Sequence, residues 1–179
     1  MSNDEGSSRM PPHFGRTFPD ILAPFVPTPL DVVARMLKLA GLSKTDVVYD
    51  LGCGDGRVLI EAAKWYGASC VGVDVEPYRV AQSQANAKMA GVDHLITFRL
   101  QDAQTVDLSP ATVIMLYLVH WSTQRLRARI DRQVKPGTRI VSHNFNMDDW
   151  VPKQVDEFVD NAGDTRKLYL WIAGYEKKS

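Results

Sequence analysis

The segment VVYDLGCGDGR, residues 47–57, ends an apolar run on an acid, Asp50, and sets glycines at 52, 54 and 56 directly behind it. Glycine weakens any helix or strand it interrupts. Three within five residues therefore mark a loop whose backbone turns sharply or lies bare against a ligand. A second acid, Asp74, closes the next apolar run, CVGVD, 24 residues after Asp50. That offset suits a carboxylate accepting both ribose hydroxyls of a nucleoside. The same two acids also suit a turn cap and a helix cap. A dinucleotide fingerprint would read G-x-G-x-x-G, and here Arg57 stands at its third glycine.

Asp50 opposes a phosphate and suits a ligand that carries positive charge and an amino group. S-adenosylmethionine has a sulfonium and an α-amine and no phosphate, so it fits these residues better than NAD. Other side chains with chemistry to offer are scattered. Tyr117 closes TVIMLYL, residues 112–118, and His120 and His143 follow or end apolar runs. A histidine with an ordinary pKa of about 6.5 can accept a proton near neutrality, and Tyr117 and His143 are the candidate catalytic residues. Cys53 has no base near it in sequence and reads as a small core residue. No metal-ligand spacing exists among the two cysteines and four histidines.

The elements needed to position these residues can be read from the pattern. Residues 1–18 are polar and read as a flexible arm before one domain over 19–179. FPDILAPFVPTP, residues 18–29, reads as an extended segment, with Phe25 either closing over a cofactor or stapling a helix entry. Thr28 is expected to cap that helix, with Pro29 at its first position. Strands are expected at 47–51, 70–74, 95–100, 112–118 and 139–143, with helices between them, one capped by Ser122. KQVDEFV, 153–159, suits strand or helix, and KLYLWIAGY, 167–175, suits a strand. Short apolar strands alternating with helices imply an α/β, Rossmann-like, doubly wound parallel sheet, and the tail fits a hairpin at its edge.

Composition narrows the class. In 179 residues, 21 basic side chains balance 21 acidic ones, which favours neither a nucleic-acid binder nor a membrane-surface protein. No apolar stretch approaches the roughly 18 residues of a membrane span. A reduced cytoplasmic protein is the expectation.

At this point the sequence resembles a class I, seven-strand S-adenosylmethionine-dependent methyltransferase. DLGCGDG (50–56), VGVD (71–74) and QDA (101–103) are similar to that family's first motif, ribose acid and adenine segment. The resemblance implies cofactor contacts for Asp50, Gly52, Gly54, Asp74, Asp102 and Ala103, with Phe25 closing over. It also implies strand order 3-2-1-4-5-7-6 with strand 7 antiparallel. PFVPTP, DLSPATVIMLYL and KPGTRIVSHNFNMDDW narrow the likeness to the small protein-lysine methyltransferases of archaea and mitochondria. The family often has an acid where this chain has Asn144 and tyrosine where it has Phe25.

Charge is uneven despite the zero net. Residues 121–139 are strongly basic and read as a solvated helix face; residues 144–164 are strongly acidic. An acidic rim beside the crevice would attract a lysine amine, which points to a protein substrate presenting lysine. Rival readings are a small-molecule N- or O-methyltransferase, an NAD-dependent protein, and a non-catalytic S-adenosylmethionine binder. Oligomeric state is open.

Overall fold

The computed structural model describes residues 25–174; the arm expected over 1–18 lies outside them. Seven strands form one sheet: β1 (Val47–Leu51), β2 (Ser69–Asp74), β3 (Ile96–Leu100), β4 (Val113–Leu116), β5 (Arg139–His143), β6 (Gln154–Val159) and β7 (Thr165–Ile172). Their order is β3-β2-β1-β4-β5-β7-β6, as the resemblance implied. The first five strands pair in parallel, and β7 is antiparallel to β5 and β6.

Four helices cover the sheet: α1 (Leu30–Ala40), α2 (Arg57–Tyr66), α3 (Pro77–Met89) and α4 (His120–Gln133). Val33, Leu59 and Ala87 of the first three join Val48, Met115 and Val141 in one core. Leu126 and Ile130 of α4 join Leu51, Ile114 and Ile140 in the other. Burial on both faces explains why β4 reads as an unbroken apolar run.

Two helix starts differ from expectation. Pro29 is extended and precedes α1, so Leu30, not Pro29, is its first residue. Thr28 does not cap the helix; it is buried and its carbonyl accepts a bond from Arg57 Nη1 at 2.9 Å. The fourth helix begins at His120, not after Ser122, because the Val119 carbonyl already accepts the N–H groups of Ser122 and Thr123. The ambiguous segment at 153–159 is a strand: each residue of β6 pairs with β7.

The first helix runs against the strands. Arg139, at the start of β5, donates to the carbonyls of Ala40 and Gly41 at its C-terminal end. At its other end, Asp31 Oδ2 accepts the Asn161 N–H of the β6–β7 turn at 2.7 Å. Chain entry, α1 and the final hairpin therefore meet above the C-terminal strand ends.

Candidate active site

Register decides which side chains meet there. Asp50 lies opposite Met115, and strand alternation puts both on the face of Val48 and Val141. Tyr117, two residues after Met115, and His143, two after Val141, continue on that face. Their rings stack with centroids 4.0 Å apart and planes 28° from parallel. Asp50, Tyr117 and His143 thus form a row across the ends of β1, β4 and β5.

Asp50 is buried and accepts no hydrogen bond from the described residues. Burial first, then the charges of Asp74 and Asp55, push its carboxyl up to about 7. Asp74 is held differently. Its Oδ2 accepts the Gly54 N–H at 2.9 Å and its Oδ1 the Glu76 N–H at 3.0 Å. Burial raises its pKa against the lowering effect of these bonds. The amides fix the carboxylate, and a carboxylate oxygen retains capacity for a further donor. Asp74 therefore combines the cap and ligand readings.

The loop amides answer the phosphate question. Gly52 and Cys53 both donate to the Val73 carbonyl at 2.9 Å, and Gly56 donates to Cys53. Gly54 is engaged by Asp74, and the Arg57 N–H reaches Asp55 Oδ1 at 3.3 Å. A phosphate cradle needs such groups free and a helix N-terminus open to an anion. Here Asp55 already stands at that end of α2. Gly52 has φ +89°, as the turn off β1 requires.

Gly54 serves another purpose. A Cβ there would meet Phe25 Cε2 at 2.5 Å, so the bare backbone lets the Phe25 ring lie on the loop. Arg79 covers that ring, its Cζ 3.6 Å from the centroid. Arg57 pairs with Asp55 at 2.6 Å while its Nη1 holds Thr28. Residues 25–29 are thereby strapped over the glycine loop, and Phe25 is no helix staple. Asp55, Arg57 and Arg79 are the site residues that sequence reasoning missed. Arg57, displacing the fingerprint's third glycine, was the available signal.

Gln101 N–H binds the Asp74 carbonyl at 2.9 Å, bringing the segment after β3 to the same edge. Asp102 Oδ1 closes a turn on the Gln104 N–H at 2.8 Å. Ala103 is buried, and its N–H has no partner among the described residues.

Other candidates change standing. Cys53 is 5% exposed and burial pushes its thiol far up, so it supplies no nucleophile. His143 is fully buried, with neither ring nitrogen partnered. Burial, and then the charge of Arg166, lower its pKa to about 4 against the opposing pull of Asp160. It is neutral at pH 7 and sealed from solvent, so it does not pass protons to bulk water. His120 opens α4, and its side chain lies outside the described set.

The acidic rim also needs correction. Asp149 pairs with Arg127, Asp156 with Arg35, Glu157 with Lys167, and Asp160 and Asp164 with Arg166. Nor is the basic stretch simply a solvated face, because Arg129 donates to the Val106 carbonyl and Arg139 binds Asp46. Charges separated in sequence meet in the fold.

A family model described as the ANTKMT methyltransferase domain matches residues 50–154. The chain belongs to the ANTKMT methyltransferase domain family. A protein-lysine N-methyltransferase of Saccharolobus islandicus is 39% identical over 86% of this chain and 96% of its own length. An ATP synthase lysine N-methyltransferase of Xenopus laevis is 30% identical over 74% of this chain, which spans 58% of that relative. A solved RNA methyltransferase from Salinibacter ruber, in complex with S-adenosyl-L-homocysteine, shares 44% identity with a TM-score of 0.79. That alignment covers 86% of this chain and 98% of that one. The chain is an S-adenosylmethionine-dependent methyltransferase. The donorless Asp50 and the engaged loop amides fit that cofactor's positive charge and lack of phosphate. Among the described residues, no helix is long and apolar enough to cross a membrane, and no side-chain cluster suits a metal ion.

Proposed function

We propose that the enzyme methylates the side-chain amine of lysine in a protein substrate. The observation that carries this reading is the Tyr117–His143 stack, an aromatic floor backed by a neutral imidazole, beside Asp50. Such a floor favours an amine that has lost its proton. The names of the Saccharolobus and Xenopus relatives support the same acceptor.

S-adenosylmethionine supplies a methyl group already activated on a cationic sulfur. The protein's part is binding, alignment and exclusion of water. Asp50 faces the amino group, Asp74 takes the ribose hydroxyls, and Asp102 with the Ala103 N–H meets the adenine. Gly52 and Gly54 let the ligand approach the backbone, and Phe25 closes the strap. Tyr117 orients the incoming amine, whose unperturbed pKa near 10.4 must fall for its lone pair to be free. His143 holds the Tyr117 ring in place. Water removes the proton.

An RNA acceptor is the second reading, favoured by the description of the Salinibacter structure. Against it, Arg127, Arg129 and Arg139 are bound within the fold and offer phosphates no continuous basic stripe. Two buried, unpaired cysteines support a reducing compartment, which we propose is the cytoplasm. Incubation with methyl-labelled S-adenosylmethionine and an extract of the source organism tests the acceptor. Base-stable label recovered as methyl-lysine in a protein band is expected. Label removed by ribonuclease, or found only in small molecules, sinks the lysine reading and leaves the cofactor site standing.

A further inference from the structure

The β6–β7 turn brings an arginine to the substrate end of the row. Arg166 lies two residues before Leu168, the cross-strand partner of His143. The two therefore share a sheet face and stand diagonally adjacent across the β5–β7 pair. Arg166 is fixed by two carboxylates: its Nε meets Asp160 Oδ2 at 2.7 Å and its Nη2 meets Asp164 Oδ2 at 3.0 Å. Asp160 is itself immobilised, its Oδ1 accepting the N–H groups of Ala162 and Asp164 at 2.9 Å. The Asn161–Asp31 bond ties the whole turn to α1. This is more anchoring than a turn at a sheet edge needs.

We infer that Arg166 is a positioning residue for methyl transfer: its guanidinium, fixed in the β6–β7 turn behind the Tyr117–His143 stack, discourages a second positive charge there and makes the target amine shed its proton on arrival. The inference rests on the lysine reading. A fixed cation beside an amine is a general means of freeing a nitrogen lone pair. His143 already feels this field, for Arg166 acts on it more strongly than Asp160 does. Tyr117 and Arg166 also interact electrostatically. The other charged groups on this face are Asp50 from β1, Asp156 from β6, neutralised by Arg35 of α1, and Asp31 of α1 on its turn amide. None of these replaces Arg166 beside the stack.

The test measures kcat against pH with labelled S-adenosylmethionine and poly-L-lysine as the lysine probe. For Arg166→Met, the acidic limb of kcat should move up by about one pH unit with the high-pH plateau kept. Arg166→Lys should restore the wild-type profile. Asp164 is largely exposed, so Asp164→Asn should fold normally. By removing a counter-charge it should move the limb the opposite way. An equal loss at every pH, or limbs that stay in place in both Arg166→Met and Asp164→Asn, overturns the proposal. If the wild type does not methylate poly-L-lysine, the lysine reading is the part in question. NMR titration of His143 in the S-adenosylhomocysteine complex then decides the role of Arg166. A midpoint that rises in Arg166→Met keeps the role, and an unmoved one removes it.

Discussion

A buried carboxylate with no donor is unfavourable until a ligand supplies the missing charge, and Asp50 is in that position. Its carboxyl titrates near 7 without ligand, and a cationic amine beside it lowers that value, so binding releases a proton. Affinity for S-adenosylhomocysteine should therefore strengthen as pH rises to about 7 and weaken by up to tenfold per unit below it. Titration calorimetry of Asp50→Asn should show weaker binding with that slope gone. The same shift acts on folding with a definite sign. Because the folded pKa is raised, the native state holds a proton that the unfolded chain releases between about pH 4 and pH 7, and stability falls as pH rises through that window. Ligand-free Asp50→Asn should thus exceed wild type by on the order of 1–4 kcal/mol at pH 8 and match it near pH 4. Thermal melts at the two pH values check this. The position of Asp50 was legible from an acid, three glycines and a second acid. Its isolation was not, because that depends on the loop amides turning to Val73 and Asp74 instead.

At the scale of elements, strands 1 to 5 were legible because burial on both faces leaves unbroken apolar runs. The ends of α1 and α4 were less so. Thr28 and Ser122 are good capping types, yet both are buried and packing decided against them. Gly72 shows the same limit inside β2, where it reads as an ordinary strand position. A Cβ there would meet Phe98 Cδ1 at 2.8 Å, Cys53 Sγ at 2.9 Å and Leu59 Cδ1 at 2.9 Å. Its absence lets α2 and the glycine loop settle onto the sheet. Gly72→Ala should cost about 1–3 kcal/mol through overpacking, lowering Tm by about 2–4 °C per kcal/mol. Displacing Cys53 should weaken cofactor binding as well. An unchanged melting temperature would show that the loop can yield without cost.

The molecule as a whole is held by charges that the sequence keeps far apart. A net charge of zero and two opposed charge blocks suggested a polar surface with an acidic mouth. In the fold the blocks pair, with each other and with distant residues. Arg139 is the clearest case. Read in sequence, it is one more cation in a basic run. In space it donates to the last carbonyls of α1 and to Asp46, which precedes β1. Asp46 also accepts bonds from the Ser43 amide and Thr112 Oγ1. Burial raises its pKa, but Thr112, Ser43 and Arg139 together outweigh burial and hold it below the ordinary carboxylate range. One arginine therefore joins the start of β5, the end of α1 and the entry to β1, opposite the active end. Arg139→Met should cost about 2–3 kcal/mol, less than a fully buried pair because its side chain is partly exposed. The sign with pH follows from the depressed folded value: the stabilisation is complete above the unfolded carboxylate pKa and fades as pH falls through the folded one. The gap in melting temperature between wild type and Arg139→Met should be full at pH 7 and shrink below about pH 4. Affinity for S-adenosylhomocysteine should be unchanged, since nothing in this network reaches the glycine loop. A gap that stayed constant down to pH 2.5 would mean that Arg139 stabilises through the α1 carbonyls alone.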